Sequence, residues 1–444
     1  MKWLTTSTKA FGWYYLINKI KHLSELMFSP AAVKEERERR PRLLADHSWG
    51  WNWKSINETT LPHAPPEAMQ FGHALQRILH AIRHANPRYG PVRLAKHDIA
   101  DGFYRLFLRP KDCLKLALVL PRYDNEQQLV AIPMACTMGW VQSPPTFCTM
   151  SETVCDLANE NFARSQNCVG PHRLETRTTD MDDLSRSMTP RARETDQAPA
   201  DLALAMLFPY DGQGSEQQNQ LHQQQQHETI APPSNKPFNK PVGLTDVYVD
   251  DYIQVGQGGP NRMKALRRNL WHQVDKVLAK PINSETERNE AISLKKLDRG
   301  DGSWTTRKVL LGWMVDTLRQ TLELPGHRKL ELTQLLSSFC KARRISRKRY
   351  EKALGKLRFV ATAIPGAKGL FGSLQTALSQ ASEGRIKVTP HLKDHLCAFA
   401  RLAADLRDRP THLAEIVPQE PSYLGTTDAA KPGLGGTYLS LIHI

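Results

Sequence analysis

The stretch LTDVYVDDYIQVGQ, residues 244–257, decides the reading of this chain. β-branched and aromatic residues flank Asp250 and Asp251, which sit side by side in its middle. Two short strands joined by a turn at the aspartates would lift both carboxylates to the tip of a hairpin. Two like charges so placed repel, and a divalent cation between them offsets the repulsion. The plainer alternative is an acidic turn left to solvent. Metal-assisted phosphoryl transfer needs a further carboxylate from a neighbouring strand, so that two ions about 4 Å apart can be bridged. KHDIADGFYRLFL, residues 96–108, offers one. There Asp98 ends a strand-like run, followed by Phe103 and Tyr104.

Composition narrows the class. A chain of 444 residues is long enough for several domains and a sizeable core. Sixty Lys and Arg against 45 Asp and Glu give a formal charge of +15 and a pI near 9.5, which points to a polyanionic partner, nucleic acid foremost. Seven cysteines without a C-x-x-C pair support neither a disulfide framework nor a zinc site, and suit a reducing compartment. There is no run of about 18 apolar residues, and the opening MKWLTTSTKAFGWYYLINKIKHL is too polar for a signal peptide. The expectation is a soluble intracellular protein, cytoplasmic or nuclear, with no membrane partner.

Along the chain, residues 12–28 carry helical spacing and predict a helical extension over 1–30. Residues 65–86 read as a helix opened by Pro65 and Pro66 and stopped by Pro87. Residues 92–108 are β-rich, and 114–121 with 127–135 predict a hairpin. From 166 to 240 the chain turns polar, with Gln and Pro tracts, and predicts a flexible low-complexity insertion inside a domain, because β patterning resumes at once in 243–255. Segments 308–317 and 321–325 predict a second hairpin. Residues 328–407 are helical and basic, and the last thirty return to a Gly-rich strand pattern. No internal repeat is evident.

A specific resemblance joins these pieces. KHDIADGFYRL resembles the first palm motif of reverse transcriptases, MGWVQSPPTFC (138–148) their Gly-Trp-x-x-Ser-Pro motif, and YVDD (248–251) their Tyr-x-Asp-Asp box. Upstream, RPRLLADHSWGWNWKSIN (40–57) resembles the fingers motif, and downstream LLGWMVDT (310–317) resembles the primer grip. The five occur in family order and cover most of residues 40–325. The likeness is greatest to polymerases of LTR or DIRS-like retrotransposons. YLGTTDAAKPGLGGTYLS (423–440) resembles the first strand and turn of a ribonuclease H domain.

The resemblance implies an α+β right-hand polymerase with an antiparallel palm sheet. Fingers and the first part of the palm would span 31–165, the insertion 166–240, the rest of the palm 241–325, a helical basic thumb 326–412, and an incomplete RNase H-like start 413–444. Asp98, Asp250 and Asp251, with the backbone carbonyl of Ile99, would hold two Mg²⁺ ions, or Mn²⁺. Arg42 would contact the triphosphate, Phe103 would sit under the sugar, and Met138 and Gly139 would pack against nucleotide and template. Many retroviral enzymes have Gln where this chain has Met138. Leu311, Gly312 and Trp313 would form the primer grip, and Lys276 or Lys280 would serve as general acid. The run KARRISRKRYEKALGKLR (341–358), nine Lys and Arg against one Glu, would grip phosphates from a thumb helix. Asp428 would be the first RNase H-like carboxylate, but only sixteen residues follow it, so no hybrid cleavage is expected. The implied activity is RNA-directed DNA polymerisation, adding dNTPs to a primer on an RNA or DNA template. The competing expectation is a decayed retroelement product that binds nucleic acid without polymerising. Copying RNA into RNA is disfavoured by Phe103.

Overall fold

The computed structural model describes residues 14–16, 29–34, 42–49, 54–61, 73–120, 127, 129–165, 169–178, 238–278, 290–365, 367–381, 384–417, 423–430 and 433–440. It mixes helices with sheets whose strands pair antiparallel, except for Ser29–Lys34 with Leu118–Val119, which pair parallel. The central sheet has three antiparallel strands, with Asp251–Gly256 between Arg93–Asp98 and Gly243–Tyr248. Val, Ile and Tyr suit these pleated positions, and the middle strand is buried along nearly its whole length. Helices Ala74–His84, Ser143–Ser165 and Pro260–Val277 pack against the sheet. Their apolar sides close two cores, one around Ile78, Ile82, Leu94 and Val255, the other around Phe147, Val154, Tyr252 and Trp271. The strand ends at Asp98. Phe103 and Tyr104, expected in a β-rich run, lie instead in the 3₁₀ turn Gly102–Arg105 after Asp101, whose φ is +57°.

A second sheet orders its strands Tyr14–Leu16, Leu129–Ala131, Leu118–Val119, Ser29–Lys34 and Arg42–Ala45. Leu118–Val119 and Leu129–Ala131 pair antiparallel, as their sequence pattern predicts. The helix predicted over 12–28 is corrected at Tyr14–Leu16, where two tyrosines and a leucine pair with Leu129–Ala131 as a strand. The rest of that stretch lies outside the described residues. Of the 65–86 helix, the structure describes Ala74–His84.

Residues 308–317 do not form one strand of a hairpin with 321–325. The chain turns back at Leu311 and Gly312, with φ of +48° and +85°, so Arg307–Leu310, Trp313–Asp316 and Thr321–Glu323 make a meander, extended by Thr411–His412. Helices Gly326–Lys341, Arg347–Ala361, Phe371–Ser379 and Pro390–Asp408 follow. A two-stranded pair, Arg344–Ser346 with Arg385–Lys387, interrupts them. The basic run 341–358 is therefore split between a helix end, this short strand and the Arg347–Ala361 helix, rather than carried on one helix.

The insertion predicted for 166–240 is corrected at its start. Within 169–178 the 3₁₀ helix Arg173–Arg177 is tied to the Pro260–Val277 helix, and Leu174 is buried in the second core. Arg173 reaches both Asp275 and Glu290, and Glu175 pairs with Arg268. Alternating charges in RLETR find complementary partners there. Residues 179–237 lie outside the described residues. Tyr423–Ala430 and Gly433–Ser440 pair in an antiparallel ribbon, with Asp428 opposite Gly435. Among the described residues, no helix is long and apolar enough to cross a membrane.

Candidate active site

Strand register builds the site. The 243–256 hairpin closes with a two-residue turn, Val249 and Asp250, so that Tyr248 faces Asp251. Val249 has a φ of +59°, a region in which a β-branched residue is strained. Across the sheet Asp98 is the direct partner of Asp251. The Ile99 amide donates to the Asp250 carbonyl at 3.1 Å, while the Ser293 amide donates to the Asp98 carbonyl at 2.8 Å. Segments about 150 positions apart thereby bring Asp98, Ile99, Asp250 and Asp251 to one end of the sheet. Asp246, the other acid of the quoted stretch, is structural. It is buried and accepts two 2.7 Å bonds from Arg77.

The electrostatics follow from that crowding. Burial, together with the nearby Asp250 and Asp251, pushes the Asp98 carboxyl up to about 6 against the pull of Lys296. Burial and then Asp251 raise Asp250 as well. Lys296, on the short helix Leu294–Leu297, donates to Asp98 Oδ1. Lys96 Nζ stands 3.1 Å from Asp251 Oδ1. Burial disfavours the Lys296 ammonium, yet its bond to Asp98 and the neighbouring aspartates raise its affinity for a proton overall.

Among the described residues, no three His, Cys, Asp or Glu side chains are placed to hold a metal ion. The donor chemistry nonetheless fits one: clustered carboxylates with raised proton affinity are what a hard divalent cation stabilises. Sequence reasoning missed both lysines. Lys96 was legible, because two residues before Asp98 on a strand it shares the same face. Lys296 was not, since a separate segment carries it to the site through the bonds around Ser293. Of the lysines proposed instead, Lys276 is exposed in the last turn of the Pro260–Val277 helix, and Lys280 lies outside the described residues.

Phe103 is half-buried and meets Phe147 edge-on, with ring centroids 5.6 Å apart. Phe147 belongs to the Ser143–Ser165 helix, which Pro144 and Pro145 open with preset φ values. Gly139 has a φ of +108°, and a Cβ there would come within 2.0 Å of the Ala45 carbonyl oxygen. Only glycine fits so close an approach. The Ala45 amide donates to the Met138 carbonyl at 3.3 Å. Asn57, another residue that sequence reasoning missed, donates to the Gly139 carbonyl at 2.9 Å and accepts from the Val141 amide at 2.8 Å. Met138 and Gly139 thus dock onto strand Arg42–Ala45 and helix Ile56–Thr60. Arg42 lies on that strand, with its side chain outside the description.

At the Leu311–Gly312 turn, Trp313 is fully buried and stacks on Phe359 with centroids 4.9 Å apart. Its indole is core, so only the backbone and Leu311 of the three proposed grip residues are left at the turn. The Asp428 side chain lies outside the description. All nine basic residues of 341–358 are exposed. Lys356 pairs with Glu331, Arg347 with Glu351, and Arg349 lies over Phe339 at 5.3 Å.

No protein-family model matches the chain, and no curated protein matches its sequence. Among solved structures, the chain is similar to a foamy viral protease-reverse transcriptase. In complex with RNA/DNA hybrid, that protein is 13% identical with a TM-score of 0.43, over 94% of this chain and 40% of the other. In complex with double-stranded DNA the values are 13%, 0.41, 94% and 62%. A dRH form with double-stranded DNA gives 12%, 0.44, 91% and 47%. The chain spans less than two thirds of the length of each.

Proposed function

We propose that this chain is an RNA-directed DNA polymerase of reverse-transcriptase type, from a retrotransposon, that extends a primer with dNTPs on an RNA or DNA template. The observation that carries the reading is the register that sets Asp98 opposite Asp251 with Asp250 in the adjoining turn. Mg²⁺ or Mn²⁺ held by these carboxylates and the Ile99 carbonyl would neutralise them and stabilise charge on the transferring phosphoryl group. The chain's own residues supply the rest. Asp250 sits in the strained turn, and the Ile99 and Ser293 amide bonds hold the Asp98 segment in register. Lys96 and Lys296 place positive charge beside the carboxylates, where a polyphosphate would approach. Phe103, braced by Phe147, would face the sugar, and the exposed bases of 341–358 would hold template–primer phosphates.

One observation favours a second reading, nucleic-acid binding without polymerisation: Asp98 and Asp251 are each paired with a lysine. Primer extension on an RNA template with Mg²⁺ or Mn²⁺, run beside a binding assay on the same duplex, decides between them. Extension supports the polymerase. Binding with no extension in either metal overturns it in favour of the second reading.

A further inference from the structure

The helices Gly326–Lys341 and Pro390–Asp408 lie against each other, and each contributes one cysteine to the contact between them. The sulfurs of Cys340 and Cys397 are 3.4 Å apart, and both residues are half-buried, within reach of a small reagent. By contrast, Cys113, Cys136, Cys148 and Cys155 are buried. From Cys340 to Cys397 the chain runs through the Arg344–Ser346 and Arg385–Lys387 strand pair and the helices Arg347–Ala361 and Phe371–Ser379. We propose that Cys340 and Cys397 form an oxidative modification site, at which a low-molecular-weight disulfide closes a bond between the two helices.

The reaction balances as two thiol–disulfide exchanges. One cysteine thiolate attacks the small disulfide, forming a mixed disulfide and releasing one small thiol, which takes up the proton. The second cysteine then attacks the mixed disulfide at the protein sulfur, the Sγ–Sγ bond forms, and the second small thiol leaves with its proton. The two cysteines lose two electrons and two protons, and the small disulfide gains them. The second step is intramolecular between sulfurs already in contact, so it outruns accumulation of the mixed disulfide. Burial and the adjoining Cys397 push the Cys340 thiol up to about 11, which makes it a slow first attacker at neutral pH. The bond ties both ends of a segment 57 positions long and restricts the unfolded chain.

The test uses the full chain treated with oxidised glutathione, digested without reduction and mapped by mass spectrometry. The expected result is a Cys340–Cys397 linked peptide that dithiothreitol separates, accompanied by a rise of several degrees in the thermal midpoint. Cys340→Ser and Cys397→Ser should each abolish both. Glutathione retained as a mixed disulfide at either position without the linked peptide overturns the proposal. So does a thermal rise that persists in either variant.

Discussion

At the residue scale, Asp98 draws its chemistry from crowding. Its carboxyl is raised from 3.8 to about 6, so the stability it contributes is complete below the unfolded value and is lost as pH rises through about 6. Without divalent cation, the thermal midpoint of the wild type should therefore fall relative to that of Asp98→Asn between about pH 4 and 7, whatever the trend set by the other titrating groups; parallel profiles refute the assignment. Mg²⁺ should raise the midpoint of the wild type at pH 7.5, and raise that of Asp98→Asn or Asp250→Asn much less. Both variants should keep template affinity within about twofold and lose extension to below a few per cent of wild type, because the exposed basic residues of 341–358 proposed to hold phosphates are on other elements. Residual extension above that level in either variant would show that the metal assignment is wrong. Phe103 stands where two roles compete. Its edge-on contact with Phe147 makes Phe103→Val cost roughly 1–3 kcal/mol in any case. As a sugar gate, the variant should also admit ribonucleotides while still incorporating deoxynucleotides. An unchanged sugar preference in a merely destabilised protein removes the gate, and with it the main reason for calling the product DNA.

At the scale of elements, the segment 169–178 separates what composition shows from what packing shows. RLETR reads as polar linker, yet Arg173, Glu175 and Arg177 pair with Asp275, Glu290, Arg268 and Asp298, and Leu174 fills a core position. Replacing 179–237 with a short Gly/Ser linker should leave the fold intact and favour it by about 1–2 kcal/mol, since loop-closure entropy grows only with the logarithm of length. Extending the replacement back to residue 170 should lower the thermal midpoint by several degrees. Equal midpoints for the two deletions would show that the 3₁₀ helix contributes nothing. The same contrast explains Tyr14–Leu16: helical spacing is a weak local preference, and the open edge of Leu129–Ala131 overrides it.

At the scale of the whole molecule, one core runs from the central sheet into the helices that follow it, taking in Leu94, Leu244, Trp313, Phe339, Tyr350 and Phe399. Trp313→Ala should consequently cost about 3–5 kcal/mol and leave primer affinity of the folded fraction unchanged, as chemical denaturation and binding measured side by side would show. A stable variant with weakened primer binding would return Trp313 to the grip. The helical region shares this core, so it should unfold together with the sheet rather than as a separate step. What the sequence by itself determined are features carried by local pattern. The β-branched and aromatic residues on either side of the acidic turn specify the hairpin, and the proline pair opens the Ser143–Ser165 helix. Tertiary structure alone decided the rest. Pairing Asp98 with Asp251 depends on register between distant strands, Lys296 arrives through bonds made by another segment, and Gly139 is required only because Ala45 lies against it. Burial of Trp313 likewise follows from helices that fold over the meander. These are long-range contacts, and a one-dimensional pattern encodes the propensity of each segment without encoding which segment it will meet.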